Sequence, residues 1–370
     1  MTDFTQQNLK GRTDLPKIDI LSLSLDELEK AVTDLGEQKF RAKQIFEWLH
    51  IKKVTSFNEM TNLSSALRTK LDEGFYITNI SVIRKLVSRD GTVKYLFALP
   101  DGTAVESVVM NYKHGNSLCI STQVGCKMGC SFCASTIAGF ERNLTPSEML
   151  SQVYFTDKEH GISSIVLMGI GEPLDNFDNV MKFLSILSSE AGHNMSLRHV
   201  SLSTCGIVPK IYELKERNLG ITLSISLHAP DDELRKKIMP IALRYSVDEL
   251  ITACKDYFNA TGRRISFEYS LIDGVNDTDE CAIKLANLLK GFNCHVNLIP
   301  INEVKERSYK ASKIKSVERF KDILTKRGVN ATVRRTLGTD ISAACGQLRK
   351  DHVKKEGPSE DCSKNTCGTA

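Results

Sequence analysis

Three cysteines in one short segment are the residues of this sequence whose spacing points most directly to chemistry. They lie in the run Cys126-Lys-Met-Gly-Cys130-Ser-Phe-Cys133, and Gly125 and Gly129 let a loop fold tightly enough for the thiols to face one point. Thiolates are soft ligands that bind zinc or iron–sulfur clusters. Structural zinc takes four protein ligands and a four-iron cubane has four corners, so three local cysteines leave one position for another ligand. The residues alone leave open an iron–sulfur cluster, a zinc knuckle and three cysteines of an ordinary core.

Four further polar or glycine-rich runs each follow a predicted β-strand. They are Met168-Gly-Ile-Gly171-Glu172-Pro173, Ser203-Thr-Cys205-Gly206, Ser226-Leu227-His228-Ala-Pro230 and Pro300-Ile-Asn302. Each run alone is also consistent with a cap or a turn. Because β/α folds build their active sites at the carboxyl ends of the strands, we expect the four runs to surround one pocket.

The chain from residue 113 to residue 350 alternates strand-like and helical patterns. Strands are predicted at 118–122, 164–168, 200–203, 222–226, 265–270, 295–299 and 330–335. Helices are predicted from Thr145-Pro146 onward and at 179–189, 209–218, 247–259, 279–290 and 316–326. This alternation indicates parallel strands with helical crossovers. Six β/α units are too few for a complete eight-unit barrel, so we predict an α/β fold with a partial (β/α)6 TIM-type barrel. The alternative is an open doubly wound sheet.

The chain before residue 113 predicts two smaller units. Ser24-Leu-Asp-Glu27 is a capping box that begins a helix, and a second helix is predicted at 39–52. Strand-like segments at 92–99 and 104–110 flank the turn Pro100-Asp-Gly102 and predict a hairpin. We therefore predict a flexible N-terminus at 1–16, a helical accessory domain at 17–90, a hairpin linker at 91–112, a catalytic domain at 113–350 and a disordered tail at 351–370.

Composition restricts the class of protein. Of 370 residues, 41% are hydrophobic and 25% are charged, and the net charge of +4 says little about partners. No apolar run is long enough to cross a bilayer, and the polar N-terminus lacks the apolar core of a secretion signal. The eleven cysteines are an odd number in a chain too large to need disulfides. We therefore expect a cytoplasmic protein, a monomer, that does not associate with membranes.

The cysteine run resembles that of the radical S-adenosylmethionine superfamily, in which Cys-x3-Cys-x-aromatic-Cys follows the first strand of a β/α series. The resemblance implies a [4Fe–4S] cluster held by Cys126, Cys130 and Cys133. The open iron would bind S-adenosylmethionine, whose reductive cleavage gives a 5′-deoxyadenosyl radical. The cofactor carries the difficult chemistry, and the protein orients it.

The chain from about residue 105 to residue 348 resembles one branch of that superfamily, the RlmN family of RNA methyltransferases. The matching runs are Val105-Glu106-Ser-Val108, Cys119-Ile-Ser-Thr-Gln-Val-Gly-Cys126 and Gly338-Thr-Asp-Ile-Ser-Ala-Ala-Cys345-Gly-Gln-Leu348. The resemblance implies methylation of carbon 2 of adenosine 2503 in 23S rRNA and of adenosine 37 in tRNAs. It also implies that the helical first part bears on RNA binding.

The family resemblance assigns roles residue by residue. It implies that S-adenosylmethionine is bound by Gly171, Glu172, Ser203, Ser226, Leu227, His228 and Asn302. Cys345 would carry the methyl group as S-methylcysteine, and Glu106 would be the proton acceptor. A transient protein–RNA adduct would be released when Cys119 attacks Cys345 to form a transient disulfide. The family scheme uses two S-adenosylmethionine molecules per turnover and a one-electron reductant such as flavodoxin.

Two other functions remain open at this point. A Cfr-like enzyme would methylate adenine carbon 8 with the same machinery, and a zinc-stabilised RNA-binding module would not catalyse a reaction. RNA contacts are predicted on basic side chains. The candidates are Lys39, Arg41, Lys43, Lys52 and Lys53 on the exposed face of the second helix, the loop segments 305–307 and 310–315, and Arg334-Arg335.

Overall fold

The computed structural model describes residues 17–304, 306–341 and 349. The predicted tails at 1–16 and 351–370 lie outside the described residues, and so does Cys345. None of the helices within the described ranges is both long and apolar enough to cross a membrane.

The first part of the described chain is a small helical unit. Its elements are β1 (Ile18–Asp19), α1 (Leu25–Asp34), α2 (Phe40–His50), α3 (Ser65–Gly74) and β2 (Phe75–Tyr76), with β1 and β2 parallel. The predicted capping box is formed, because Ser24 Oγ accepts from the Glu27 N–H and the Glu27 carboxylate accepts from the Ser24 N–H. Both predicted helices are present, whereas α3 and the two short strands were not predicted.

Three antiparallel strands follow, β3 (Ser81–Val87), β4 (Val93–Ala98) and β5 (Ala104–Tyr112). The predicted hairpin is therefore present as β4 and β5. Residues 81–87, which were predicted to belong to the helical unit, form an additional strand at the edge of this sheet. Nearly all side chains of β3 are exposed, so the strand lacks the alternation of apolar and polar residues by which strands are recognised.

The remaining elements alternate as the sequence predicted, apart from a two-stranded ribbon and one short helix that were not predicted. The chain enters β6 (Gly115–Cys119) and then the two strands of an antiparallel ribbon, β7 (Gln123–Gly125) and β8 (Phe140–Asn143). The strands and helices that follow are α4 (Pro146–His160), β9 (Ile162–Leu167), α5 (Phe177–Leu187), β10 (Val200–Thr204), α6 (Val208–Arg217), β11 (Thr222–Ser226), α7 (Asp232–Ile238), α8 (Val247–Thr261), β12 (Ile265–Leu271), α9 (Asp279–Leu288), β13 (Cys294–Pro300), α10 (Ile314–Lys326) and β14 (Ala331–Val333).

One ten-stranded sheet joins the hairpin to the β/α units, in the order β14-β13-β12-β11-β10-β9-β6-β5-β4-β3. Its strands from β6 to β14 are parallel, and β5 pairs with β6 in the antiparallel sense. Since β14 and β3 lie at opposite edges, the sheet does not close, which confirms the predicted α/β fold with a partial barrel. The hairpin does more than link two units, because it extends the barrel sheet. The first parallel strand begins three residues before its predicted position.

Candidate active site

The cysteine segment lies at the carboxyl ends of the parallel strands. Cys126, Cys130 and Cys133 line one open cleft, which we call the cysteine cleft; its other walls come from the ends of β9 to β14. The loop begins directly after β7, where Gly125 has a φ of +80°. A Cβ atom at Gly125 would lie 1.7 Å from the carbonyl oxygen of Gly139. Only glycine therefore lets the β7–β8 ribbon close at the base of the loop.

Helix α7 and the turn after it hold the cysteine loop from behind. The Ser131 N–H donates to the Ile238 carbonyl at 2.9 Å. Met128, Cys130 and Phe132 pack against a small apolar cluster, which comprises Cys205, Ala229, Ile238, Met239 and Ile241. The loop is thus fixed by contacts with residues that lie more than seventy positions away in the chain.

The thiols of this loop lie in apolar surroundings. Burial raises the pKa of Cys126 to about 12 and raises that of Cys130 further. Such thiols ionise at neutral pH only with a cationic partner, as in metal binding. Among the described residues, no three His, Cys, Asp or Glu side chains lie close enough to hold a single metal ion. A cubane cluster binds each thiolate at a separate iron, and three soft donors on one loop facing one cleft match that requirement.

Strand-end residues predicted to bind S-adenosylmethionine line the same cleft. Gly171, Glu172, Ser203, Ser226 and His228 are all in its walls, and Ser203 Oγ lies 3.4 Å from Ser226 Oγ across β10 and β11. The structure therefore brings five predicted cofactor residues and the three cysteines together.

Glu172 is buried in the cleft wall. One carboxylate oxygen accepts from the Leu174 N–H at 3.0 Å, and the other accepts from the Cys205 N–H at 2.7 Å. Burial raises the pKa of Glu172. Each oxygen retains a lone pair, so the carboxylate is oriented by the backbone and can still accept from an ammonium group.

His228 is held in a single orientation. Its backbone has a φ of +55°, a conformation unusual for a side chain of this size. The Ser270 N–H donates to His228 Nδ1 at 2.9 Å, so the proton of the neutral ring is on Nε2. Burial, with a smaller contribution from Arg235, lowers the pKa of His228 to about 3. His228 is therefore a neutral hydrogen-bond donor at physiological pH, with Phe132 packed edge-on against its ring at 5.0 Å between centroids.

Gly169 and Gly171 of the Gly-x-Gly-Glu run allow two segments of the backbone to pack closely. A Cβ atom at Gly169 would lie 2.4 Å from the Ile120 carbonyl oxygen, and one at Gly171 would lie 2.6 Å from Gln123. Gly171 also has a φ of +108°. The end of β9 can approach the segment after β6 only because both positions lack a side chain.

A second cavity lies beside the cysteine cleft and contains Cys119. This Cys119 cavity is lined by Thr92, Val108, Met110, Cys119, Met168, Ile299, Pro300, Asn302 and residues 334–337. Met168, Ile299 and Arg334 line both spaces. Asn302 therefore lies on the Cys119 side of this shared wall. Leu227 lines neither space; it is fully buried, and its N–H donates to the Glu268 carbonyl at 3.1 Å.

Glu106, the predicted proton acceptor, lines neither space. Its carboxylate lies 2.9 Å from Lys94 Nζ, and the two side chains are 2% and 0% exposed. The Arg349 N–H donates to the same carboxylate at 2.6 Å. Glu106 lies on the same face of β5 as Val108 and Met110, which do line the Cys119 cavity. Lys94 was missed because a lysine in a strand is ordinarily expected at the surface.

Two buried charged residues near the cleft were also missed. Glu268 lines the cleft from within β12 and accepts from Asn297 Nδ2 at 2.8 Å and Ser266 Oγ at 3.1 Å. Burial raises its pKa. Arg235 of α7 is fully buried behind the cysteine loop. Neither residue follows the end of a predicted strand, so no local pattern in the sequence marks either of them.

Only part of the basic face predicted on α2 is available to contact RNA. Lys53 is mostly buried and forms an ion pair with Asp157 of α4, so its assignment to an exposed face was wrong. Lys39 pairs with Glu29, and Lys52 Nζ lies over the Trp48 ring. Lys305 lies outside the described residues.

Comparison with known proteins identifies the class of enzyme. Residues 18–77 match the family model of the ribosomal RNA large subunit methyltransferase N-terminal domain, and residues 120–289 match that of the radical SAM superfamily. A probable dual-specificity RNA methyltransferase RlmN of Lachnoclostridium phytofermentans is 55% identical over 92% of this chain and 96% of its own length. One of Clostridium perfringens is 56% identical over 91% of this chain and 98% of its own length. The chain belongs to the RlmN family.

A solved structure also matches this fold. The crystal structure of a radical SAM methyltransferase from Sphaerobacter thermophilus matches with a TM-score of 0.85 and 42% identity, covering 89% of this chain and 98% of that one.

Membership of the RlmN family and the radical SAM superfamily implies a [4Fe–4S] cluster and S-adenosylmethionine. The cysteine cleft fits both groups, since it joins three soft donors to a wall of hydroxyl, carboxylate and imidazole groups. Cys119 forms no disulfide with any residue that the structure describes, so a permanent disulfide is not supported. Its predicted partner, Cys345, lies outside the described residues.

Proposed function

We propose that this RlmN-family chain methylates carbon 2 of adenosine 2503 in 23S rRNA and of adenosine 37 in tRNAs, with Cys345 as the methyl carrier. The observation that supports this proposal best is the wall shared by the cysteine cleft and the Cys119 cavity. Across this shared wall, Cys119, the predicted resolving thiol, lies beside the cleft in which a radical would form. A radical enzyme without a covalent thiol step would not need a cysteine in that position.

The chain's own residues provide the binding functions. Cys126, Cys130 and Cys133 would each ligate one iron, leaving one iron for the cofactor. When bound, the cluster and S-adenosylmethionine supply methyl transfer and a hydrogen-abstracting carbon radical, with two cofactor molecules consumed per turnover. Gly171, Glu172, Ser203, Ser226 and His228 would hold the cofactor from the cleft wall. Asn302 would reach it from the Cys119 side, and Leu227, which lines neither space, would act through its neighbours Ser226 and His228. The neutral His228 can donate one hydrogen bond without adding positive charge beside the cluster.

Two thiols are needed because of the chemistry of the target atom. Carbon 2 of adenine is electron-poor and has no lone pair, so direct polar transfer of a methyl group is implausible. Cys345 would first take the methyl group as a thiolate nucleophile and later link protein and RNA covalently. Cys119 would attack the sulfur of Cys345, and the disulfide that forms would release the methylated base. An external reductant would then restore both thiols.

Glu106 would accept the carbon-2 proton. The ion pair with Lys94 orients this enclosed carboxylate, and the proposed role itself rests on the family resemblance. The face of β5 that carries Glu106 continues through Val108 and Met110 into the Cys119 cavity, which gives the side from which the base would arrive.

The target base would have to leave its stack to reach a buried site. Arg334 and Arg335 border the Cys119 cavity and are the basic residues best placed to bind a phosphate at its opening. We further propose that the chain acts as a cytoplasmic monomer supplied with electrons by a one-electron reductant such as flavodoxin.

The decisive experiment compares ribosomal and transfer RNA from cells with and without the gene, by mass spectrometry of nucleoside digests. Wild type should restore 2-methyladenosine, whereas Cys345→Ala and Cys119→Ala should not. Cys281→Ala, at a half-buried position on α9 away from both cavities, is the matched control and should behave as wild type. Appearance of 8-methyladenosine would instead indicate the Cfr-like activity.

A metal analysis tests the non-catalytic alternative. Protein purified without oxygen should contain iron and acid-labile sulfide in equal amounts. Zinc without iron or sulfide would overturn the proposal and favour a zinc-stabilised RNA-binding module.

A further inference from the structure

Arg235 occupies an unusual position for an arginine. Its side chain is fully buried behind the cysteine loop. The guanidinium donates from Nε to the Leu227 carbonyl at 3.1 Å and from Nη2 to the carbonyls of Cys205 at 2.6 Å and Ser226 at 3.2 Å. These carbonyls belong to the ends of β10 and β11, the two strands that carry Ser203 and Ser226 into the cleft. Arg235 itself does not line the cleft, so it acts through other residues.

Neutral carbonyls satisfy hydrogens of this guanidinium, but they do not balance its charge. Nη1 is buried and has no hydrogen-bond partner among the described residues. A buried charge is strongly destabilised unless a charge of opposite sign lies nearby. The protein therefore carries a full positive charge in its interior that requires an anionic counterpart.

The groups able to supply negative charge near Arg235 are few. Asp232 lies on the same helix and interacts with Arg235, but its carboxylate also accepts from the Val247 N–H at 2.7 Å. Cys205, whose carbonyl accepts from Arg235 Nη2, packs in one apolar cluster with Cys130 of the cysteine loop. Cys130 lies in the loop that would bind the cluster, where it would be a thiolate.

We propose that Arg235 is the buried counter-charge of the iron–sulfur cluster and a positioning residue that raises the cluster's reduction potential. This inference rests on the proposed function, since it requires a cluster on Cys126, Cys130 and Cys133. In the redox step a [4Fe–4S]²⁺ cluster takes one electron from a one-electron donor and becomes [4Fe–4S]⁺, with no bond made or broken. With three thiolates the site changes from one net negative charge to two. A nearby positive charge in a medium of low dielectric stabilises the reduced form more than the oxidised form.

The test uses the full chain with its cluster reconstituted anaerobically. Arg235→Gln removes the charge but keeps hydrogen bonding, and Arg235→Lys keeps the charge but loses the fork geometry. Lys236→Gln is the matched control, because Lys236 is an exposed cation of the same helix. The midpoint potential is measured by electron paramagnetic resonance during titration with dithionite, alongside iron and sulfide content and circular dichroism.

We expect Arg235→Gln to shift the potential to more negative values, with Arg235→Lys and Lys236→Gln close to wild type. Loss of the cluster from Arg235→Gln together with its retention in Arg235→Lys also supports the role of the charge. An intact cluster at unchanged potential in Arg235→Gln would overturn the inference, and so would equal loss of the cluster from both variants. If the wild-type protein binds no cluster at all, the proposed function fails instead.

Discussion

Lys94 and Glu106 form a buried ion pair across the β4–β5 hairpin, with 2.9 Å between Lys94 Nζ and the Glu106 carboxylate. The pair joins the predicted proton acceptor to a lysine that carried no functional signal in the sequence. Val108 and Met110 of the same strand line the Cys119 cavity, so the hairpin forms part of the wall of that cavity.

Removing the lysine of this pair should destabilise the protein. Lys94→Met removes the cation that lies 2.9 Å from the buried Glu106 carboxylate, and we expect the free energy of unfolding to fall by about 3–5 kcal/mol. Urea unfolding followed by circular dichroism measures the change. Lys85→Met on the adjacent strand β3 is the control; it removes the exposed Lys85–Glu159 pair and should cost much less. Equal losses in the two variants would contradict a buried ion pair.

The base of the cysteine loop should tolerate no side chain at Gly125. Gly125→Ala would drive a Cβ atom into the Gly139 carbonyl, so we expect the ribbon to open and iron content after reconstitution to fall at least several-fold. Gly139→Ala is matched, because Gly139 also has a positive φ of +72° but a Cβ atom added there would have no neighbour within 4 Å. It should keep its iron at a cost of about 1–2 kcal/mol in stability. Similar iron contents in the two variants would show that the close approach is unimportant.

Iron binding should depend on three cysteines out of the eight that are described. Single changes of Cys126, Cys130 or Cys133 to Ala should abolish the cluster, because each thiolate is expected to ligate a separate iron. Cys254→Ala removes a thiol that is more deeply buried than the loop cysteines and lies in α8, and it should retain wild-type iron and sulfide. The readout is iron, sulfide and visible absorbance per protein. Full cluster content in any of the three loop variants would remove that residue from the ligand set.

The buried imidazole of His228 should make stability depend on pH. Its pKa is about 3 in the folded protein, lowered by burial from an ordinary value of 6.5. Below pH 6.5 the unfolded chain therefore binds a proton that the folded protein does not, so this contribution to stability is present at pH 7.5 and is lost as the pH falls. By linkage the loss at pH 5 is about 2 kcal/mol.

His228→Asn isolates this effect. Asparagine tolerates the positive φ and can accept from the Ser270 N–H through Oδ1, but it does not titrate. The stability of wild type relative to His228→Asn should fall between pH 7.5 and pH 5 in urea unfolding. A difference that stays constant over this range would mean that His228 is not neutral in the folded state. His50, whose pKa burial also lowers to about 3, is unchanged in both proteins and cancels from the comparison.

Several features of the fold followed from the sequence because they depend on neighbours in the chain. The capping box at Ser24, the turn between β4 and β5 and the alternation of seven parallel strands with helices are short-range patterns, and the structure contains all of them. The spacing of Cys126, Cys130 and Cys133 is of the same kind. The exposed strand β3 was not predicted, because without a buried face it has no pattern to read.

The family, the order of the elements and the side chains at the ends of the strands could therefore be read from the chain alone. Three other features became visible only in the folded molecule: Glu106 pairs with Lys94, Arg235 lies behind the cysteine loop, and Cys119 has a cavity next to the cleft. Each of these depends on how the elements pack against one another. Burial of a charge is set by how the elements pack, and the spacing of residues along the chain does not encode it.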